Sequence, residues 1–270
     1  MIIAENISKF SEITLLAIHA ALKAGDILRH GYGHAHTINE KEGVHNFVTE
    51  YDTKCENEII AFLKKEGPKS NFLAEEKGSM NNNADLTWII DPLDGTVNFA
   101  HHIPMFSTSI AAMGKNEILI GVVYQPMTHE LFIAEKGKGS FLNGRKLNVT
   151  STENINKSIL ATGFPYNLYE NPSHVIQHFV DVLKTGIPIR RIGCASIDLA
   201  YVAAGRFDGF WEVGLGPWDC AAGNLLIEEA NGKITTWDKN TFNILEKKPI
   251  LATNSHIHDQ LSSILTKEYK

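Results

Sequence analysis

Trp88-Ile89-Ile90-Asp91-Pro92-Leu93-Asp94-Gly95-Thr96-Val97-Asn98-Phe99 is the stretch on which the reading of this chain turns. Three bulky apolar residues in a row predict a strand buried on both faces. Two carboxylates then flank a proline turn, and Gly95-Thr96 opens a short helix. Carboxylate oxygens are the hard donors that magnesium prefers, and free N–H groups at a helix start point at an anion in front of it. Asp-Pro and Asp-Gly are also good turn formers, so the segment alone admits a purely structural reading. One chemistry is excluded. An aspartyl-phosphate mechanism uses Asp-x-Asp-Gly-Thr directly after such a strand, and here Pro92 stands where the nucleophile belongs.

On the N-terminal side, Ile7, Phe10, Ile13, Leu16, Ala17, Ala20, Ala24 and Ile27/Leu28 recur at helical spacing and predict a helix over about 6–29, ended by Gly31 and Gly33. A second helix is expected over 53–66, stopped by Gly67-Pro68. Strands are expected at 71–74, 87–90, 107–113, 118–124 and 130–134, with a hairpin turning at Asn143-Gly144. Beyond Thr150, helices over 173–183, 196–204, 220–230 and 256–266 alternate with strands near 189–192, 207–213, 233–237 and 250–252. Strand runs mixed with helices predict an α+β layered sandwich. One domain spans 1–270, with two lobes joined at the Ser/Thr/Asn-rich stretch near 148–156.

Further carboxylates stand at element ends. Glu75-Glu76 follow a strand and, taken singly, read as a solvated pair. Asp52 and Asp219 each precede an expected helix, and each has an N-cap reading of its own. Composition narrows the functional classes. The chain has 270 residues, 43% hydrophobic and 21% charged, with a net charge of −6. That balance gives no electrostatic reason to expect nucleic acid or anionic lipid as a partner. An acidic protein acting on an anion must supply positive charge locally, and metal ions are the simplest source. Three cysteines, Cys55, Cys194 and Cys220, form no CxxC pair and suit a reducing cytoplasm. No secretory leader is read at Met1–Ala4, and no apolar run approaches the ~18 residues of a membrane span. His30, His34 and His36 lie beside two glycines and read as a loop rather than a metal site. Arg190-Arg191 suits either a phosphate-steering pair or a solvated strand edge, and no Gly-x-x-x-x-Gly-Lys-Ser/Thr nucleotide loop occurs.

The set Glu75-Glu76, Asp91-Pro92-Leu93-Asp94-Gly95-Thr96 and Trp218-Asp219-Cys220-Ala221-Ala222-Gly223 resembles the inositol monophosphatase family in motif spacing and element order. The resemblance implies a layered αβαβα sandwich of the inositol monophosphatase and fructose-1,6-bisphosphatase type. It implies a homodimer that hydrolyses phosphate monoesters with Mg2+ and is inhibited by lithium. By position, Glu75, Asp91 and the Leu93 carbonyl would hold a first metal, and Asp91, Asp94 and Asp219 a second. Glu75 would serve a weaker third site through water. Thr96, hydrogen-bonded to Asp52, would orient the attacking water, and the Gly95 and Thr96 amides would bind phosphate. Gly193, Cys194, Ala195 and Glu212 fall where the family contacts the alcohol, and Asp219 also borders the substrate. The family usually carries Thr or Ser where Cys194 stands, so a hydroxyl contact to substrate would be lost there. Thr96-Val97-Asn98-Phe99 leans toward a small polyol phosphate, myo-inositol 1-phosphate first. Fructose bisphosphate, nucleotide 3′-phosphate and NADP are the alternatives, and a regulatory interaction protein that keeps the fold is the non-enzyme alternative.

Overall fold

The structure, a computed structural model, describes residues 9–34, 38–40, 47–115, 117–166, 168 and 175–269. Its first half is helix α1 (Glu12–Gly31), the strand pair β1 (Ile38–Glu40) and β2 (Phe47–Thr49), and helix α2 (Glu50–Glu66). Strands β3 (Asn71–Ala74), β4 (Gly78–Met80) and β5 (Leu86–Asp94) follow, then the short α3 (Thr96–Ala100). Strands β6 (Ser107–Gly114), β7 (Glu117–Gln125), β8 (Glu130–Glu135), β9 (Gly139–Leu142) and β10 (Arg145–Lys146) complete an eight-stranded sheet in the order β10-β9-β8-β7-β6-β5-β3-β4.

The second half comprises β11 (Leu160–Thr162), α4 (Val175–Lys184), β12 (Ile189–Arg190), α5 (Ala195–Ala203), β13 (Gly209–Glu212), α6 (Pro217–Glu229), β14 (Lys233–Thr235), β15 (Ile250–Thr253) and α7 (His258–Leu265). Its five strands run in the order β12-β11-β13-β15-β14. The last strand of the large sheet ends at Lys146 and the first of the small sheet starts at Leu160.

Alternation along the strands explains the layering. In β5, Trp88 and Ile90 pack with Ala17, Ala21 and Leu28 of α1 and with Ile59 and Leu63 of α2. Ile89 points the other way, among Leu199 of α5 and Ala222, Leu225 and Leu226 of α6. Phe210 and Ile250 of the small sheet join that same middle layer, whereas Leu160, Trp211 and Leu251 pack against Val182 of α4 and Leu261 of α7. The layers are therefore α1/α2, large sheet, α5/α6, small sheet and α4/α7, the αβαβα sandwich expected. A strand buried on both faces needs apolar residues at every position, which is why β5 reads as a continuous run.

Close approaches are bought with small residues. A Cβ on Gly25 of α1 would lie 2.3 Å from the Tyr124 ring of β7, and one on Gly121 would lie 2.7 Å from the Ala222 carbonyl oxygen of α6. The hairpin between β9 and β10 turns at Asn143 and Gly144, both at positive φ, as their sequence predicts. Helix α1 closes at Gly31, with the Tyr32 N–H returning to the Leu28 carbonyl.

Three helix starts differ from expectation, the first being α1, which begins at Glu12 behind the Ser11 cap rather than near residue 6. Helix α2 begins at Glu50 with Thr49 as N-cap, so Asp52 is the third residue of the helix rather than its cap. Helix α6 begins at Pro217 after Gly216, which puts Asp219 at the same third position. Each carboxylate reaches back to the cap residue's N–H, at 2.7 Å for Asp52 to Thr49 and 2.6 Å for Asp219 to Gly216. One capping oxygen is thereby spent on the helix and the other is left for the site. Ser173, which opened the expected fourth helix, and His36 lie outside the described residues; His30 bonds the Asp26 carbonyl oxygen at 2.6 Å.

Candidate active site

The carboxylates meet because of register. Strands β3 and β5 are parallel, with Ala74 beside Ile90, and the Glu75 N–H bonds the Ile90 carbonyl at 3.1 Å. Glu75 is thus delivered beside Asp91 at the same sheet end. Asp91 shares the face of Ile89, two residues earlier, and that face looks toward α6 and Asp219. Asp94 would point away from Asp91 in a regular strand, since their spacing is odd. A bulge between Asp91 and Asp94, where β5 spends one residue more than β6, restores the face. Pro92 suits the bulge because it has no ladder N–H to lose, and its carbonyl accepts from Thr108 Oγ1 at 3.0 Å.

Crowded together, with Asp91 buried and the others partly so, Asp91, Asp94 and Asp219 oppose one another's ionisation. Burial, then the charges of Glu75, Asp94, Asp219 and Asp52, push Asp91 well above the usual carboxylate range. Burial, Asp94 and Glu75 do the same to Asp219, while the Gly216 N–H and a bond with Asp91 pull the other way. Burial also raises Asp94, opposed by hydrogen bonds from Ser196, Cys194 and Ala195. Among the described residues no three His, Cys, Asp or Glu groups close a ready cage around one point. The carboxylates instead face each other across the site. This donor set is all oxygen and crowded with negative charge, which fits hard divalent cations and no other common cofactor.

Beside them lies a buried pair. Thr96 Oγ1 is 2.9 Å from Asp52 Oδ1 and 3.0 Å from the Leu93 carbonyl oxygen. A hydroxyl has one proton for these two acceptors, so when Asp52 takes it, a Leu93 lone pair stays unspent. Asp52 is fully buried. Burial pushes its carboxyl up to about 7 against the bonds from Thr49 and Thr96. Gly95, at φ +91, leads into α3, and a Cβ there would stand 3.0 Å from the Met105 oxygen and 3.3 Å from that of Gly193. Gly95 is the N-cap of α3 and Thr96 its first residue.

Sequence reading missed the groups that hold Asp94. Ser196 donates to Asp94 Oδ2 through both its N–H and its hydroxyl, each at 2.6 Å. Its hydroxyl also lies 2.6 Å from that of Ser107. A serine in the first turn of a mostly apolar helix that also carries Asp198 was the available signal. Asn98, quoted in the motif without a role, donates its amide to the carbonyls of Met105 at 2.7 Å and Ile192 at 2.9 Å, pinning the loop that carries Gly193. Cys194 is buried, its thiol 3.4 Å from both the Asp94 carbonyl and the Ser107 hydroxyl. The side chain at this position is turned inward, leaving only its backbone for a substrate. Ala195 opens α5 beside it.

Glu212 ends β13 on the face of Phe210, directed into the middle layer. Burial, then Asp219 and Asp94, raise its carboxyl to about 8, with Arg191 opposing. Arg191 lies close enough that a Cβ on Gly193 would be 2.8 Å from its Nη1. Arg190 instead extends along the strand edge to the Ile189 carbonyl at 3.2 Å. Of the two arginines only Arg191 belongs to the site. Asp91 is thus influenced by Glu75, Asp94, Asp219 and Asp52, Cys194 and Ala195 lie against Asp94, Glu212 is influenced by Asp219 and Asp94, and Gly95 stands close to the Gly193 carbonyl.

Known proteins resemble this chain over most of its length. The inositol-1-monophosphatase of Caulobacter vibrioides is 43% identical over 248 residues, 90% of this chain and 97% of that protein. The Nus factor SuhB of Haemophilus influenzae is 39% identical over 254 residues, 92% of this chain and 94% of its own. The crystal structure of the extragenic suppressor protein SuhB from Bartonella henselae superposes with a TM-score of 0.89 at 38% identity, covering 96% of this chain and all of that one. An IMPase/NADP phosphatase complexed with Mg2+ and phosphate superposes at 0.82 with 25% identity, covering 93% and 94%. The sequence profile of the inositol monophosphatase family matches residues 9–269. On this match and these identities, the chain belongs to the inositol monophosphatase family.

Proposed function

We propose that this protein hydrolyses a small polyol phosphate, myo-inositol 1-phosphate by preference, to the free alcohol and phosphate. The observation that carries the reading is the meeting of Glu75 from the β3–β4 turn, Asp91 and Asp94 from β5 and Asp219 from α6, beside the buried Thr96–Asp52 pair. Glu75, Asp91 and the Leu93 carbonyl would hold one Mg2+, Asp91, Asp94 and Asp219 a second, and Glu75 would serve a weaker third. When bound, Mg2+ reverses the sign of the site, acidifies water and neutralises the leaving oxygen.

The protein's own groups position the reactants. Thr96, its proton directed to Asp52, turns an oxygen lone pair toward the attacking water. The Gly95 and Thr96 N–H groups hold phosphate oxygens. Water oxygen joins phosphorus, the bond from phosphorus to the alcohol oxygen breaks, and the alcohol leaves with a proton. Glu212 and the backbone of Gly193, Cys194 and Ala195 face the alcohol. We place the enzyme in the cytoplasm as a homodimer, sensitive to lithium at the second metal position. Three buried free thiols suit that compartment, and no described helix is long and apolar enough to cross a membrane.

Relatives named Nus factor favour a second reading as an interaction protein. A chain kept for that role alone has no need of Glu75, Asp91, Asp94, Asp219 and the Thr96–Asp52 bond, all of which are present. The deciding experiment assays phosphate release from inositol 1-phosphate, fructose 1,6-bisphosphate, a nucleotide 3′-phosphate and NADP, with Mg2+ and with excess chelator. Chelation abolishes turnover, Mg2+ restores it, and inositol 1-phosphate gives the highest kcat/KM. Activity that survives chelation overturns the mechanism, and preference for another substrate overturns the specificity.

A further inference from the structure

Helix α2 carries an acid where its amphipathic pattern calls for an apolar residue. Ile59, Ile60 and Leu63, at three, four and seven positions after Glu56, are all buried, and Glu56 between them is itself 0% exposed. Burying a carboxylate is costly unless it is well bonded. Glu56 Oε2 accepts the N–H of Glu76 at 2.9 Å and of Lys77 at 3.4 Å, while Oε1 has no hydrogen-bond partner among the described residues. Burial raises this carboxyl, and the same two N–H groups oppose the shift.

The residues so gripped are the tip of the β3–β4 hairpin. Ala74 pairs with Gly78, leaving Glu75, Glu76 and Lys77 as the turn. On one side the Glu75 N–H is fixed to Ile90 of β5, next to Asp91. On the other side the next two N–H groups are fixed to Glu56. The Lys77 ammonium also bonds the Asn57 side chain, a second tie between the tip and α2.

We propose that Glu56 is a positioning residue for Glu75: its carboxylate clamps the hairpin tip so that Glu75 stays aimed at the metal position shared with Asp91. This rests on the reading of Glu75 as a metal ligand. Groups that orient a ligand from behind typically contribute 10–100-fold to metal affinity. A charge placed merely for its field would act the same from any nearby position. A clamp acts only at the right reach.

Calorimetric Mg2+ titration of the full-length protein, with and without substrate turnover, separates these. Glu56→Gln keeps an acceptor oxygen at the same reach and costs about threefold or less in Mg2+ affinity. Glu56→Asp keeps the charge but withdraws it by one methylene, and costs about tenfold, as does Glu56→Ala. In every variant kcat at saturating Mg2+ stays within about threefold of the wild type, whereas a purely structural role lowers the melting temperature without moving the Mg2+ isotherm. In a double-mutant cycle the losses from Glu56→Asp and Glu75→Gln are less than additive. Wild-type affinity in Glu56→Asp, a worse loss in Glu56→Gln than in Glu56→Asp, or full additivity overturns the proposal while leaving Glu75 in place. An unchanged isotherm in Glu75→Gln overturns the ligand reading itself, and the clamp with it.

Discussion

Thr96 has a single proton and two acceptors, and its loss separates orientation from metal binding. Thr96→Ala removes the oxygen that turns the water and leaves every carboxylate in place. Its kcat falls by roughly 10²-fold or more, in the range of a positioned acid–base group, while Mg2+ affinity by calorimetry stays close to the wild type. A matching fall in Mg2+ affinity would place Thr96 among the ligands instead. Glu212 is argued from the alcohol side. A site built to pair hydroxyls discriminates against ligands that lack them, so Glu212→Gln lowers kcat/KM for inositol 1-phosphate by about tenfold more than for an aryl phosphate. Equal losses on both substrates would mean that Glu212 does not read the alcohol. Thr96 was nameable from its motif, and Glu212 only through the family resemblance. Ser196 was not, because a serine at a helix start has many ordinary uses and only the Asp94 contact singles it out.

At the scale of elements, Asn98 ties α3 to two loops that come from distant parts of the chain. Asn98→Ala leaves the Met105 and Ile192 carbonyls without this donor in a nearly buried position. Unpaired buried acceptors cost about 1–3 kcal/mol each at most, so the urea midpoint shifts by an equivalent of about 2–3 kcal/mol. Activity falls with it, because the Gly193 loop is no longer registered on Gly95. An unchanged midpoint would show that the tie is dispensable. The helix starts teach the limits of local reading. Asp52 and Asp219 look like N-caps in sequence, yet Thr49 and Gly216 take that place and move each acid to the third position. A capping acid can serve from either position, and which one it occupies depends on where the preceding strand or loop releases the chain.

Across the whole molecule, the buried acids make stability depend on pH and metal together. The folded Asp52 carboxyl titrates at about 7 and Glu212 at about 8, both above the ordinary 3.8 and 4.5. A group whose folded value is raised holds its proton more tightly in the folded state. Its contribution is therefore complete below about pH 4 and is lost as pH rises toward 7 for Asp52 and 8 for Glu212. With chelator present, the melting temperature falls by roughly 5 °C or more between pH 5.5 and 8.5. Mg2+ reverses the trend, since it binds the ionised carboxylates and so stabilises most at high pH. Melting curves at the two pH values, with and without Mg2+, measure this directly. A chelated protein more stable at pH 8.5 would contradict the burial of these acids.

The sequence by itself determined the layered fold, the strand Trp88–Ile90 and the identity of the acids, because burial on two faces, turn chemistry and hard-donor ligands each leave a local mark. It did not determine how those acids meet. That needed the parallel register setting Glu75 beside Asp91, the bulge that turns Asp94 to the same face, and the delivery of Asp219 by the start of α6. Nor did it reveal Ser196 behind Asp94, the inward turn of the Cys194 thiol or the grip of Glu56 on the hairpin tip. Each of these joins groups 20 or more residues apart. Such contacts are set by packing between layers, and no periodicity along the chain records them.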